Sequence, residues 1–153
     1  ESDTPETMAR RTEYINNAAI DAVQATVLTP LPGTGLFKRM KANGKIEYDN
    51  YPEDWQRYDF VDVVFKHRNM SRDVFMPEVR KNWDALYNDK TLKKKFLRTL
   101  KQTKSPLAAI WSYGSNLQYY NLVYEGTRSK KNIEDIFGLD ESGQEVLKSS
   151  PFR

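Results

Sequence analysis

The segment Thr29-Pro30-Leu31-Pro32-Gly33-Thr34 is the part of the sequence whose residue types point most directly to ligand binding. Its two prolines exclude a helix, and Gly33 permits a left-handed turn in which a ligand can approach the main chain closely. Thr34 adds a hydroxyl group. A rigid turn at the carboxyl end of a buried parallel strand is a frequent ligand site in α/β proteins. The same residues also fit a strand-to-helix connection that binds nothing, and both interpretations stay open.

Two further features could take part in binding or catalysis. His67 follows a predicted strand and could act as a base, although a surface histidine fits the same position. Basic side chains over residues 93–104 could bind phosphate groups or could form a solvated helix face. Nucleic acid is not the expected partner, because no aromatic platform of a known type accompanies these charges. The basic residues are Lys93, Lys94, Lys95, Arg98, Lys101 and Lys104.

The middle loop is rich in aromatic and acidic side chains. Its aromatic residues could stack on a planar ligand, or they could hold a long loop against the core. Asp59 and Asp62 are three residues apart on a predicted strand, so they project to opposite faces and do not form an acid–base pair. The aromatic residues are Tyr48, Tyr51, Trp55 and Tyr58.

The composition excludes several kinds of site. The 153-residue chain contains no cysteine and a single histidine, so alone it cannot form a disulfide, a cysteine-ligated zinc site or an iron–sulfur cluster. Hydrophobic residues make up 39% and aromatic residues 12%, which is typical of a globular domain rather than a disordered chain. The net charge of +3 is compatible with an acidic partner without requiring one. No apolar run approaches the roughly 20 residues of a membrane span.

The elements that must position these residues are predicted to form an α+β fold dominated by helices. Two stretches rich in β-branched residues, 20–28 and 59–65, predict buried strands. We therefore expect five or six helices with a small sheet of about two strands, and a polar tail from Asp140 onward. Capping residues predict helix starts at Thr4-Pro5, Ser105-Pro106 and Asn132.

Four segments in a fixed order resemble a known enzyme family. They read DTPET at 3–7, TVLTPLPGTGLF at 26–37, WQRYD at 55–59 and VVFKHRNMS at 63–71. Together they resemble radical S-adenosylmethionine enzymes, in particular the cobalamin-binding subgroup that includes hopanoid-type methylases. The similarity covers roughly residues 2 to 88. The sequence departs from the family because it lacks the CxxxCxxC motif that holds the 4Fe–4S cluster.

The resemblance implies that the chain is a C-terminal fragment of such an enzyme and is inactive alone. Residues 1–68 would be the end of the catalytic barrel, and residues 69–153 its helical C-terminal extension of unknown function. The cluster would be bound upstream in the same polypeptide. The whole protein would be a cytoplasmic oxidoreductase or methyltransferase that uses S-adenosylmethionine and a 4Fe–4S cluster, with or without cobalamin, on an organic substrate.

The resemblance also assigns candidate contacts with the adenosyl group of the cofactor. These contacts would act through backbone groups and apolar packing, and no catalytic or metal-binding residue is assigned. They are Leu28, Thr29, Pro30, Leu31, Pro32, Gly33 and Thr34. The alternative function is a free-standing helical interaction module that binds a protein or nucleic acid. Strands cut from a larger sheet would expose unpaired edges, so self-association of the fragment is also expected.

Overall fold

The computed structural model describes residues 2–131 of the chain. Within this range it contains five α-helices, with a single turn of 3-10 helix, Trp55–Arg57, between the second and the third. The predicted helix from Asn132 and the predicted polar tail from Asp140 lie outside the described residues. The helices are α1 Pro5–Asn17, α2 Gly35–Ala42, α3 Arg72–Tyr87, α4 Asp89–Thr103 and α5 Pro106–Val123.

The chain divides into two compact units. Unit 1 comprises residues 1–20 and 24–86, and unit 2 comprises residues 21–23 and 87–153. The division between residues 68 and 69, which the resemblance implies, stays a prediction. The buried apolar residues of unit 1 include Met8, Val27, Met40, Val64, Phe65, Phe75, Val79, Trp83 and Leu86. Those of unit 2 include Leu92, Ala109, Tyr113, Leu117, Tyr120 and Val123.

The helices begin where local capping chemistry places them. Thr4 accepts a hydrogen bond from the Thr7 backbone N–H, and the Thr7 side chain accepts one from the Thr4 N–H, which forms a capping box ahead of α1. Ser105 caps α5 by accepting a hydrogen bond from the Ala108 backbone N–H at 3.3 Å, with Pro106 at the first helical position. These two predicted starts are confirmed because the capping interactions are local in sequence.

The predicted strand at 20–28 is wrong, since none of its residues lies in a strand. Side chains from helices satisfy several of its backbone groups, and the Val27 N–H donates to the Phe60 carbonyl at 2.8 Å as a single bond outside any strand. In unit 2 the carbonyl of Val23 accepts from the Tyr87 hydroxyl at 2.9 Å. In unit 1 the carbonyl of Ala25 accepts from the Trp83 indole N–H, also at 2.9 Å. The apolar composition of this segment therefore did not require a β-strand, because helices can bury the same side chains.

The predicted strand at 59–65 is also wrong, so the α+β fold with a sheet of about two strands and a partial barrel is replaced by helices alone in the described range. Phe60 has a φ of 67°, which breaks an extended strand. The Asp59 carboxylate accepts from the backbone N–H groups of Val61 and Asp62 at 2.9 Å each, which forms a turn. One isolated antiparallel bridge, between Ile46 and Phe65, is all the β-pairing that residues 2–131 contain.

Candidate functional site

Unit 1 contains a cavity of about 410 Å³, which we call the unit 1 cavity. Helices α1 and α3 line two sides, and residues 25–28 form a third wall. The volume lies in the range of roughly 300–1,000 Å³ that is usual for small-molecule sites. Most of the lining is apolar: Met8, Ile15, Val27, Leu28, Phe65, Phe75, Val79, Trp83 and Leu86.

A few polar side chains also line the unit 1 cavity. The Arg11 guanidinium forms an ion pair with Asp3. The Thr12 hydroxyl, on α1, donates to Asn82 Oδ1 on α3, which ties the two helices together beside the cavity. The Asn82 Nδ2 group in turn donates to the Glu78 carbonyl at 2.6 Å. An apolar interior with a few fixed polar groups is suited to binding an organic molecule and orienting it.

His67 lies half-buried in the wall of the unit 1 cavity. Its ring stacks on Phe75, with ring centroids 4.9 Å apart and planes 22° from parallel. Its Nδ1 accepts a hydrogen bond from the Asn69 backbone N–H at 3.2 Å. A nitrogen that accepts has no proton, so this contact fits the tautomer that is protonated on Nε2. The sequence-based candidate thus faces the cavity, and its role as a base stays a prediction.

The polar groups of the predicted turn are used inside the turn itself. The Thr34 hydroxyl donates to the Leu31 carbonyl at 2.7 Å and accepts from the Phe37 N–H at 3.2 Å, which caps α2. The buried Thr29 hydroxyl donates to the Val27 carbonyl at 3.1 Å. Gly33 has a φ of 88°, as the turn prediction requires. Neither threonine hydroxyl is therefore directed toward a ligand.

Among the seven predicted cofactor contacts, the large side chains that remain exposed are apolar. The side chains of Leu28 and Leu31 are 45% and 38% exposed, whereas Pro30 is fully buried and Pro32 is half-buried. Of the seven predicted contacts, only Leu28 lines the unit 1 cavity, and Ala25, Thr26 and Val27 precede it along the same wall. The structure therefore brings the beginning of the predicted set to the cavity and leaves the rest of the turn outside its lining.

Unit 2 contains a buried polar network that the sequence analysis did not identify. The side chain of Asn116, on α5, is completely buried and lies at its centre. Asn116 Oδ1 accepts from the Val23 backbone N–H at 3.3 Å and from Lys95 Nζ at 3.2 Å. Its Nδ2 donates to the Asp21 carbonyl at 2.8 Å and to the Ser112 carbonyl at 2.6 Å. One side chain thus fastens residues 21–23 to the α4–α5 pair.

Lys95 is 2% exposed, so it belongs neither to a phosphate-binding surface nor to a solvated face, the two roles that the sequence offered for the basic residues of 93–104. Its burial, and to a smaller extent the nearby Arg98, lower its pKa, Asp21 raises it, and the net result is a pKa of about 8. The carboxylate of Asp21 accepts from the Thr99 hydroxyl at 2.5 Å. A signal was present in the sequence, because Lys95 and Thr99 interrupt an apolar helix face at a spacing of four.

The middle loop uses its aromatic residues in two ways. The Tyr58 hydroxyl donates to the Tyr48 carbonyl, and the Arg57 guanidinium lies 4.4 Å from the centroid of the Tyr48 ring. Burial raises the pKa of the Tyr58 hydroxyl, and Asp49 and Asp54 raise that pKa further. Tyr51 and Trp55 form an edge-on pair that is exposed. The inner pair therefore holds the loop, and a stacking role for the exposed outer pair stays a prediction.

Within residues 2–131, no group of three His, Asp or Glu side chains could hold a metal ion. No helix in that range is both long and apolar enough to span a membrane. In the comparisons with known proteins, no family model, no curated protein and no solved structure matches this chain.

Proposed function

We propose that this chain is the C-terminal part of a radical S-adenosylmethionine enzyme of the cobalamin-binding, hopanoid-methylase-like subgroup. Its role is to supply part of the wall against which an organic substrate or the adenosyl group lies. One observation carries the proposal: residues 25–28 line the unit 1 cavity and lead directly into the turn at 29–34. That is the segment in which the resemblance is most specific.

The division of labour in such an enzyme follows from the residues of this chain. With no cysteine, the chain does not fit a 4Fe–4S cluster, so under this proposal the cluster would be bound by an upstream part of the polypeptide. Reductive cleavage of S-adenosylmethionine is the chemistry of the cluster and the cofactor. This chain's residues contribute apolar contacts, orientation and exclusion of water, because the cavity wall is largely apolar and the turn hydroxyls are engaged in the turn.

The proposal rests on side chains and not on a β-strand. Leu28 is 45% exposed and lines the cavity, so it can contact a bound molecule directly. Leu31, which is 38% exposed, extends the accessible apolar surface along the same segment. A ligand that contacts both residues would remove two large apolar side chains from water, and each full burial is worth roughly 1.5–3 kcal/mol.

The first test is to read the coding sequence immediately upstream of Glu1. We expect an in-frame CxxxCxxC motif, because the chain itself has no cluster ligands. A start codon close to Glu1 with no cysteine motif would overturn the proposal. The isolated chain should also bind no iron after anaerobic reconstitution, and stoichiometric iron binding by this chain would contradict an upstream cluster site.

The second test uses the longer enzyme under anaerobic conditions. Leu28→Asn places a polar group of similar size on the cavity wall, and we expect a KM about tenfold higher for S-adenosylmethionine or for the organic substrate. Val74→Asn, at an exposed position on α3 that does not line the cavity, is the matched control and should leave KM unchanged. Equal kinetics for the two variants would remove Leu28 from the site.

A further inference from the structure

The wall of the unit 1 cavity carries a cluster of aromatic rings. Phe65, Phe75 and Trp83 line the cavity and are buried, so their packing restricts how the rings are oriented. The His67 ring, which stacks on Phe75, also lies 6.3 Å from the Phe65 ring between centroids, with planes 39° apart. Such a wall favours a planar ring as ligand, because stacked and edge-on ring pairs are more stable than their buried area alone accounts for.

The polar side chains that α1 and α3 bring to the cavity are already hydrogen-bonded within the chain. The Thr12 hydroxyl donates to Asn82 Oδ1, and Asn82 Nδ2 donates to the Glu78 carbonyl at 2.6 Å. The Trp83 indole N–H donates to the Ala25 carbonyl at 2.9 Å. A ligand rich in hydrogen-bonding atoms would leave water and find these groups engaged, which is unfavourable. This part of the lining therefore favours an apolar ligand.

The charged side chains Asp3 and Arg11 of the lining neutralise each other. The Arg11 guanidinium forms an ion pair with the Asp3 carboxylate. Asn69 Nδ2 donates to the Asp3 carbonyl at 3.2 Å, which ties Asp3 to the segment that carries His67. An anionic ligand would have to displace Asp3 from Arg11, and a cationic ligand would have to displace Arg11 from Asp3. The lining therefore favours an uncharged ligand, which loses least when it leaves water.

The volume of the unit 1 cavity restricts the size of the ligand. An apolar cavity of about 150 Å³ is large enough to hold one benzene molecule. At about 410 Å³, the unit 1 cavity has room for about two or three such rings. A ligand with fused rings fills this space with few rotatable bonds, so it loses little conformational entropy on binding.

We propose that the unit 1 cavity binds an uncharged, planar aromatic molecule of two or three fused rings. The inference rests on the proposed function in one respect, because it takes the organic substrate, and not the adenosyl group, as the molecule held there. The base and ribose of an adenosyl group carry many hydrogen-bonding atoms, whereas Thr12 and Asn82 are engaged with each other. The aromatic cluster would contact the faces and edges of the ligand rings.

The indole N–H resonances of the three tryptophans test the proposal in the full chain. Trp83 lines the cavity, whereas Trp55 and Trp111 are exposed and do not line it. The probe is 2-naphthol, which is uncharged at neutral pH, and single Trp→Phe variants assign the three signals. We expect a saturable shift of the Trp83 resonance alone. An unmoved Trp83 resonance, or equal shifts of all three resonances, would overturn the proposal.

Two related probes test the charge and the planarity of the ligand. 2-Naphthoate keeps the two aromatic rings but carries a negative charge, so its Kd should be at least about tenfold higher than that of 2-naphthol. Decahydro-2-naphthol keeps the carbon skeleton and the hydroxyl but has no aromatic ring, so its Kd should be about three- to tenfold higher. A Kd equal to that of 2-naphthol would contradict the uncharged class in the first case and the aromatic class in the second.

A cavity-filling variant tests where 2-naphthol binds. Ala25 lines the cavity, so Ala25→Leu occupies part of the space and should raise the Kd at least about fivefold. Ala42→Leu, at an exposed position on α2 outside the lining, is the matched control and should leave the Kd unchanged. Equal Kd values for the two variants would place the probe elsewhere and overturn the proposal.

The outcome can be separated from that of the proposed enzymatic function. Failure of 2-naphthol to bind would overturn the ligand class even where a CxxxCxxC motif is found upstream. Binding with the expected selectivity would support the ligand class even where a start codon lies close to Glu1, which would overturn the enzymatic proposal alone.

Discussion

The two units place their polar side chains in opposite situations. In unit 1, Asp3, Arg11 and His67 line a cavity of about 410 Å³. In unit 2, the side chains of Asn116 and Lys95 are buried and hydrogen-bonded to each other. Polar groups that line a void can exchange a partner for a ligand. Polar groups that already satisfy one another in a packed interior specify the structure instead. The comparison therefore favours unit 1 over unit 2 as the place to test for a ligand, and it indicates a structural role for the unit 2 network.

The largest expected effect is at the centre of the unit 2 network. Asn116→Ala removes the acceptor of the Val23 N–H and of the Lys95 ammonium, so a buried charge loses a partner. We expect the free energy of unfolding of unit 2 to fall by about 3 kcal/mol, measured by urea denaturation. Gln118→Ala, on the exposed side of the same helix, should change it by less than about 0.5 kcal/mol. Similar losses in both variants would mean that the buried network contributes no more to stability than the exposed side of α5.

Two substitutions of alanine by the larger leucine test the difference in packing between the units. Ala109, on α5, is completely buried, so Ala109→Leu should destabilise unit 2 by about 1–3 kcal/mol through overpacking. Ala25 lines the unit 1 cavity, so Ala25→Leu has space to occupy and should cost less than about 1 kcal/mol. Thermal unfolding of the two variants measures the contrast. A greater loss for Ala25→Leu would show that the cavity is not available space.

A smaller effect should appear as a pH dependence of unit 2. The pKa of Lys95 is about 8 in the folded chain, below its ordinary value of 10.5, so between these two values the unfolded state binds more protons. The free energy of unfolding therefore rises with pH through this window. Below the window Lys95 is protonated in both states, so it contributes no pH dependence there. We therefore compare the Tm of the wild type with that of Lys95→Met at neutral pH and near pH 10. The Tm of the wild type should rise, relative to that of the variant, between the two pH values. Parallel pH profiles for the two proteins would contradict the assignment.

Thr34 and Lys95 illustrate how far the candidate sites could be predicted. The turn around Thr34 was predicted correctly, as was the positive φ of Gly33, because both depend on residues close in sequence. The sequence analysis missed that the Thr34 hydroxyl caps α2. The same hydroxyl oxygen could accept a hydrogen bond from a ligand or from a backbone N–H, and the residue type does not distinguish the two. Lys95 was grouped with basic residues that could bind phosphate or face solvent, and its burial was missed because that burial involves Asn116, twenty-one residues away.

The sequence by itself determined where the helices begin, since Thr4-Pro5 and Ser105-Pro106 supply hydrogen bonds and backbone angles within one turn. It did not determine what the apolar stretches at 20–28 and 59–65 become. Valine-rich segments are buried equally well against a strand or a helix, and only the tertiary structure decides which groups meet their backbone. Here the side chains of Tyr87 and Trp83 donate hydrogen bonds to carbonyls of the first stretch. In the second stretch the Asp59 carboxylate accepts from backbone N–H groups and forms a turn. The cavity and the buried network both follow from those long-range contacts.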